Sequence, residues 1–161
     1  MNAITTNEIN IGISEASRTE VATKLQYILA NNYSLYLKTQ SFHWNVTGPM
    51  FVTLHNLFEE QYTELASAND VLAERIRSLG YFTIGSFSEF SHLSSITESN
   101  GELLSEEMIR QLLAGNELLA RSCVEASRVA SDANDDGTAD LLTERANAHQ
   151  KSAWILRSLI E

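Results

Sequence analysis

Apolar residues recur every three or four positions over four long stretches of the chain, the spacing that places them on one face of an α-helix. The first stretch predicts a helix over 18–45, opened by a capping box of Ser17 and Glu20 and ended by the turn sequence at 45–49. The second predicts a helix that begins at Thr53 as its cap and runs to Leu79, with Gly80 as terminator.

The two remaining stretches predict long helices over 105–131 and about 138–160. The connection between the second and third long helices, residues 81–104, is long enough to cross a bundle and has the pattern of a short helix near 88–93. We therefore expect an all-α four-helix bundle. Residues 1–16 are predicted to form an N-terminal arm and residues 17–161 the bundle domain.

Composition narrows the classes of function. The chain has 161 residues, of which 21 are acidic and 11 basic, and its net charge of −10 disfavours nucleic acid and favours cations. Cys123 is the single cysteine, so the chain has no internal disulfide and no thiolate cluster. The N-terminal sequence has no signal-peptide pattern, and no apolar run is long enough for a membrane span. We expect one soluble, cytoplasmic domain.

Candidate chemistry lies on the polar side of the second helix. His55, Glu59, Asp70 and Glu74 fall within an arc of roughly 100° if each residue turns the helix by about 100°. His43 ends the first helix just before the turn, a position from which it can fold back beside the start of the second helix. Two imidazoles and three carboxylates are thereby predicted to share one side of the bundle.

One chain cannot close this site. His55 is about 22 Å from Asp70 along the axis, at a rise of ~1.5 Å per residue, whereas ligand bonds are ~2 Å long. The pair 55 and 74 and the pair 59 and 70 have the same midpoint, between Glu64 and Leu65. A two-fold, antiparallel partner therefore places His55 opposite Glu74 and Glu59 opposite Asp70, which predicts two equivalent sites in a dimer.

Nitrogen and hard oxygen ligands without a thiolate suit Fe(II), Mn(II) or Zn(II), and redox chemistry would select iron. A single carboxylate on a helix is usually only solvated. The shared face, the common midpoint and the flanking histidine together favour a metal site over that simpler interpretation.

These residues resemble a known signature. Residues 42–76 are similar to the Dps proteins, the mini-ferritins of the ferritin-like superfamily, and read FHWNVTGPMFVTLHNLFEEQYTELASANDVLAERI. The similarity continues through residues 138–161. It implies a hollow dodecameric shell of four-helix subunits with ferroxidase sites shared across two-fold axes. His43, His55 and Glu59 would come from one subunit, and Asp70 and Glu74 from its partner.

The resemblance also implies the reaction: oxidation of Fe(II), preferentially by hydrogen peroxide, and storage of ferric oxide in the cavity as protection against oxidative stress. Many relatives have aspartate where this chain has Glu59, which changes the reach of that carboxylate. Trp44, next to His43, is a candidate electron donor or radical trap, and a packing role is an equally good interpretation.

Other residues have weaker signals. Asp136 and Asp140, in the acidic junction before the fourth helix, are candidates for an iron-entry pore, although Asp135 or Asp136 is also expected to cap that helix. Glu60 and Glu64 are candidates for mineral nucleation. Glu89 and His92 match a Glu-x-x-His motif, which we interpret as chance because only one copy exists. His149 is expected to be a hydrogen-bonded core histidine, and it is also the best candidate for an extra ligand.

Two alternative functions stay open. One is a DNA-coating nucleoid protein, but residues 1–17 contain no Lys or Arg, so direct DNA binding is disfavoured and only a cation-bridged association is left. The other is a zinc-binding helical assembly, in which zinc competes with iron for the same ligands.

Overall fold

The structure is a computed structural model that describes residues 9–161. Most of the predicted arm, residues 1–8, lies outside this range. In the described residues the chain forms four long helices and one short helix: α1 (Glu15–Asn45), α2 (Phe51–Ser78), α3 (Phe87–Leu93), α4 (Ser105–Asp132) and α5 (Asp136–Ser158). The predicted helix order is confirmed, including the short helix within the long connection.

Both α1 and α2 begin about one turn earlier than predicted. α1 begins at Glu15 because Ser14 is its cap and accepts from the Ser17 backbone N–H, so Ser17 is not the cap. α2 begins at Phe51 rather than after Thr53, and its N-cap residue, Met50, makes no side-chain capping bond. The Gly48–Pro49 turn provides this start instead, since the Phe51 N–H donates to the Gly48 carbonyl.

The helices form two antiparallel pairs, α1 with α2 and α4 with α5, and α1 also packs along α4. The pairs Lys24–Glu125 and Lys38–Gln111 show that α1 and α4 run antiparallel. α2 and α4 are consequently parallel and diagonal, which requires the long crossover through α3. This is the predicted four-helix bundle with one long connection.

The core is continuous between the helices. Its largest fully buried side chains come from α1, α2 and α4, among them Phe42, Phe58, Leu72 and Ile109, and α5 adds the smaller set of Leu142, Ala146 and Leu156. The predicted apolar stripe of α2 is buried, and Cys123 is a free, buried thiol. Because the apolar stripe faces α1 and the core, the polar arc of α2 lies on the outside of the bundle.

None of the helices in the described range is both long and apolar enough to cross a membrane.

Candidate metal centre

His43 and His55 lie side by side although eleven residues separate them. His43 is in the last turn of α1 and His55 is in the first turns of α2, and the tight turn at 46–50 folds one helix end onto the other. Their imidazole rings stack with centroids 3.8 Å apart and planes 20° apart. His43 is buried and His55 is half-buried, and the structure brings the two rings together at the junction of α1 and α2.

Each imidazole is held by the backbone of the other residue. His43 Nδ1 lies 2.8 Å from the His55 carbonyl oxygen, and His55 Nδ1 lies 2.9 Å from the His43 carbonyl oxygen. A carbonyl only accepts, so both Nδ1 atoms are the donors and carry protons. In the neutral imidazoles the lone pair is then on Nε2, the atom left for a metal ion, and the hydrogen bonds fix the ring orientation that coordination needs.

Two aromatic residues that were not predicted from the sequence pack against the histidine pair. The Tyr62 ring meets the His43 ring edge-on at a centroid distance of 5.3 Å, and the Phe51 ring lies 5.1 Å from that of His55. Phe51 and Tyr62 are four residues before and seven residues after His55, so helical spacing already places them on its face. This spacing could have identified both residues from the sequence as neighbours of His55.

The carboxylates lie farther along α2, and all three are exposed. Glu59 follows His55 by one turn, so their Cβ atoms are roughly 5–6 Å apart, and Asp70 and Glu74 have the same relation. We name His43, His55 and Glu59 the histidine half-site, and Asp70 and Glu74 the carboxylate half-site. Glu59 and Asp70 are about 16 Å apart along the helix axis at ~1.5 Å per residue.

Across residues 9–161, no three His, Cys, Asp or Glu side chains come together as a metal site within the single chain. The chain brings together the two histidines and leaves the two half-sites apart. The joining of two half-sites across a two-fold axis stays a prediction.

Comparisons with known proteins identify the family. A ferritin-like domain model matches residues 22–161. A DNA protection during starvation protein from Brevibacillus brevis is 38% identical over 141 residues, which cover 88% of this chain and 95% of that protein. The chain belongs to the Dps family of ferritin-like proteins.

Solved Dps structures have the same fold as this chain. The Dps from Thermosynechococcus elongatus is 34% identical, covers 91% of this chain and 93% of its own, and superposes with a TM-score of 0.87. The Dps protein from Vibrio cholerae O1 is 30% identical with full coverage of both chains and a TM-score of 0.91. That protein is described as a member of a superfamily of ferritin-like diiron-carboxylate proteins. The expected ferritin-like fold is confirmed.

In this Dps-family chain, the acidic junction between α4 and α5 contains both a hydrogen-bonded carboxylate and exposed carboxylates. Asp135 is buried, caps α5 through the Thr138 N–H at 3.0 Å and accepts from Arg75 Nη2 at 2.6 Å. Asp136 and Asp140, the predicted pore residues, are exposed. Capping is therefore assigned to Asp135, and the exposed carboxylates keep their predicted pore role as a hypothesis.

Glu64 is not the free carboxylate that mineral nucleation requires. Both of its oxygens are bound by the guanidinium of the buried Arg145, one of them through Arg145 Nη2 at 3.1 Å. Glu60, by contrast, is exposed beside Glu59 on the same polar face of α2. Glu60 is therefore the remaining candidate for mineral nucleation.

His149 is a core histidine, as expected, and not an extra ligand. Its Nδ1 lies 3.0 Å from Asn116 Oδ1 and its Nε2 lies 3.4 Å from Arg145 Nη2, so both ring nitrogens have partners. Burial, with a smaller contribution from the Arg145 charge, lowers the pKa of His149 to about 3. The ring is neutral at physiological pH.

The Glu-x-x-His motif in the connection is explained by helix capping. The Glu89 carboxylate accepts from the Ser86 hydroxyl at 2.6 Å and from the Ser86 N–H at 3.0 Å, which completes the capping box of α3. These hydrogen bonds lower the pKa of Glu89. Glu89 therefore has a local capping role in α3. Trp44 is 63% exposed, and Tyr62 rather than Trp44 contacts the His43 ring.

Proposed function

We propose that this protein oxidises Fe(II) at sites shared between two subunits and stores the ferric product inside a hollow dodecameric shell. The observation that supports this most strongly is the histidine pair, whose reciprocal carbonyl bonds orient both Nε2 atoms for a metal ion. Asp70 and Glu74 are exposed on α2 and too distant from the histidines to complete that site in one chain, which supports the two-fold arrangement.

The donor set fits iron as the substrate. Imidazole nitrogens together with carboxylate oxygens suit Fe(II), and the carboxylates of Glu59, Asp70 and Glu74 stabilise the higher charge of Fe(III). Hydrogen peroxide is the proposed preferred oxidant. Two Fe(II) ions each give up one electron, the O–O bond of one peroxide is cleaved, and with two waters the products are two FeO(OH) units and four protons.

The remaining parts of the proposal extend this reaction to the shell. Asp136 and Asp140 attract Fe(II) to an entry pore, and Glu60 helps to begin the mineral. Trp44 gives an electron to oxidising species that escape the site. In the cytoplasm, the combined effect is removal of both peroxide and free Fe(II), which protects the cell against oxidative stress.

The test of this function compares rates of Fe(II) oxidation. Anaerobic protein is loaded with Fe(II), peroxide is added, and the ferric product is followed by absorbance. A double variant with His55→Ala and Asp70→Ala removes one ligand from each half-site, so its rate falls by at least about tenfold. The exposed Glu98→Ala variant is the control and keeps the parent rate. A double variant that oxidises iron as fast as the parent would disprove the assigned ligands.

Glu59 tests the carboxylate position separately. Glu59→Gln removes the charge and lowers both Fe(II) affinity and rate, because a neutral amide stabilises Fe(III) less well. Glu59→Asp keeps the charge and shortens the side chain by one methylene. If the activity of Glu59→Asp lies between those of Glu59→Gln and the parent, then both the charge and the length of the Glu59 side chain contribute to the rate.

Two alternatives are separated by direct measurements. Elemental analysis of the purified protein and zinc competition during iron oxidation test for a zinc-binding assembly. Such an assembly would purify with bound zinc, and its zinc content would not change when Fe(II) oxidation is blocked. A gel-shift titration over a salt series tests DNA coating. With a net charge of −10, we expect no DNA binding without a divalent cation.

A further inference from the structure

An open cleft lies on a part of the bundle to which α2 contributes no residue. It has a volume of about 470 Å³ and lies where α1, α4 and the segment after α3 meet. We name it the Lys38 cleft. Its polar walls are formed by Lys38, Ser95, Thr97, Gln111 and Arg121. Two of these five side chains are cations and none is a carboxylate.

Lys38 is the unusual member of this set. It is 9% exposed, and its ammonium donates to the Gln111 amide oxygen at 3.2 Å. An ammonium has three donors, and a buried charge is costly when it is not paired. Within residues 9–161, Lys38 has no carboxylate partner within 4.0 Å, and burial lowers its pKa despite the more distant Glu107 charge.

Gln111 is oriented so that its amide oxygen accepts a hydrogen bond from Lys38, but the amide has no charge to neutralise the ammonium. Its amide nitrogen donates to Glu107 at 3.1 Å, which directs its oxygen to the ammonium. Glu107 therefore lies behind the amide and outside the set of residues that line the cleft. Lys38 therefore has a neutral acceptor and no carboxylate at hydrogen-bond distance in the described residues.

The other walls add donors. The Ser95 hydroxyl oxygen accepts from the Tyr27 hydroxyl at 3.0 Å, so its own proton is left to donate. Arg121 is exposed and has no carboxylate within 4.0 Å in the part of the chain that the structure describes. A planar guanidinium and an ammonium line the same cleft, a combination that suits an oxyanion rather than a cation.

The segment that carries Ser95 and Thr97 is held against α4 by close packing. A Cβ at Gly115 would lie 2.7 Å from Leu35 Cδ1 and 3.4 Å from Ile96 Cδ1. A side chain at position 115 would therefore require Leu35 to shift, whereas Ile96 lies at ordinary contact distance from this part of α4. This packing positions the hydroxyl wall of the cleft independently of any ligand.

We propose that the Lys38 cleft binds a small oxyanion of the phosphate class. Lys38 and Arg121 supply the two charged donors, and the hydroxyls of Ser95 and Thr97 supply neutral donors. None of the residues that line the cleft is a candidate metal ligand, and the proposal does not depend on the proposed iron chemistry.

Lysine labelling gives a direct test on the assembled, iron-free protein. The chain has three lysines, Lys24, Lys38 and Lys151, so acylation can be followed at each by peptide mass spectrometry. With millimolar inorganic phosphate, labelling of Lys38 slows by at least about fivefold, while Lys24 and Lys151 change little. Sulfate at the same ionic strength protects partly, and chloride does not.

Binding measurements with variants make the test complete. Calorimetric titration with phosphate shows one saturable site per chain in the parent, and Lys38→Met weakens binding by at least about tenfold. Arg121→Gln weakens it less, and the matched variants Lys151→Met and Arg128→Gln bind as the parent does. The proposal is overturned if the parent shows no saturable binding, if Lys38→Met binds normally, or if phosphate slows all three lysines equally.

Discussion

His149 illustrates how a single buried residue links stability to pH. It is 2% exposed, and burial beside Arg145 lowers its pKa from 6.5 to about 3. Between these two pKa values the unfolded chain binds a proton that the folded chain does not. Stability from this residue is therefore fully present above about pH 6.5 and is lost as the pH falls towards 3.

We predict that His149→Gln weakens this pH dependence. Because the glutamine does not titrate, the parent loses stability relative to the variant by on the order of 3 kcal/mol between pH 7 and pH 4. Chemical denaturation at pH 7, 5.5 and 4 measures the difference. His92→Gln, at an exposed histidine of α3, is the control and follows the parent. Identical slopes for parent and His149→Gln would show that another group controls acid unfolding.

The two histidines of the candidate metal centre show a different use of the same side chain. Each ring donates from Nδ1 to the backbone of the other residue, so the helix ends themselves orient the Nε2 atoms. A site built this way needs no further acceptor side chain to hold the histidines.

At the scale of the helices, Asp135 connects α5 to α2. Its carboxylate caps α5 through the Thr138 N–H and accepts from Arg75, which is the residue after Glu74 of the carboxylate half-site. The start of α5, with its exposed aspartates, is thereby fixed relative to the end of α2 that carries Glu74.

We predict that Asp135→Ala lowers the free energy of unfolding by about 2–4 kcal/mol, because it removes a helix cap and leaves the partly buried Arg75 unpaired. Asp136→Ala changes the same charge at an exposed neighbouring position and costs less than about 1 kcal/mol. Denaturant unfolding of the two variants at neutral pH measures both values. Equal losses for the two variants would show that only the charge near the helix start matters.

The capping of the helices also shows what local sequence can predict. The pattern at Ser86 and Glu89 is a capping box in the structure, whereas Ser17 and Glu20 have the same spacing without being one. Ser14 starts α1 one turn earlier because Ile13 packs onto the core, and this packing selects between two possible caps. Spacing alone could not decide between them.

At the scale of the whole molecule, the separation of the half-sites on α2 makes a prediction about assembly. If a metal site is formed by the histidine half-site of one subunit and the carboxylate half-site of another, two different inactive subunits can restore each other. Subunits with His43→Ala and His55→Ala lack one half-site, and subunits with Asp70→Ala and Glu74→Ala lack the other.

We predict that mixing these two variants during reassembly restores iron oxidation. In a random equal mixture half of the two-fold pairs are mixed, and each mixed pair has one intact site, which gives about a quarter of the parent activity. Each variant alone is inactive. The control mixes the histidine variant with parent protein that carries Glu98→Ala. Activity no greater than the sum of the separate variants would rule out sharing between subunits.

The sequence by itself determined the helices, the buried stripe of α2 and the shared face of His55, Glu59, Asp70 and Glu74, because these depend on periodicity within one helix. It also placed His43 at the end of the preceding helix. Tertiary structure decided which nitrogen each histidine offers, that Arg145 binds Glu64, and that Lys38 lies buried at an open cleft. These features arise between helices that are far apart in the chain, where packing angle and helix register set the contacts, and local patterns contain no information on either.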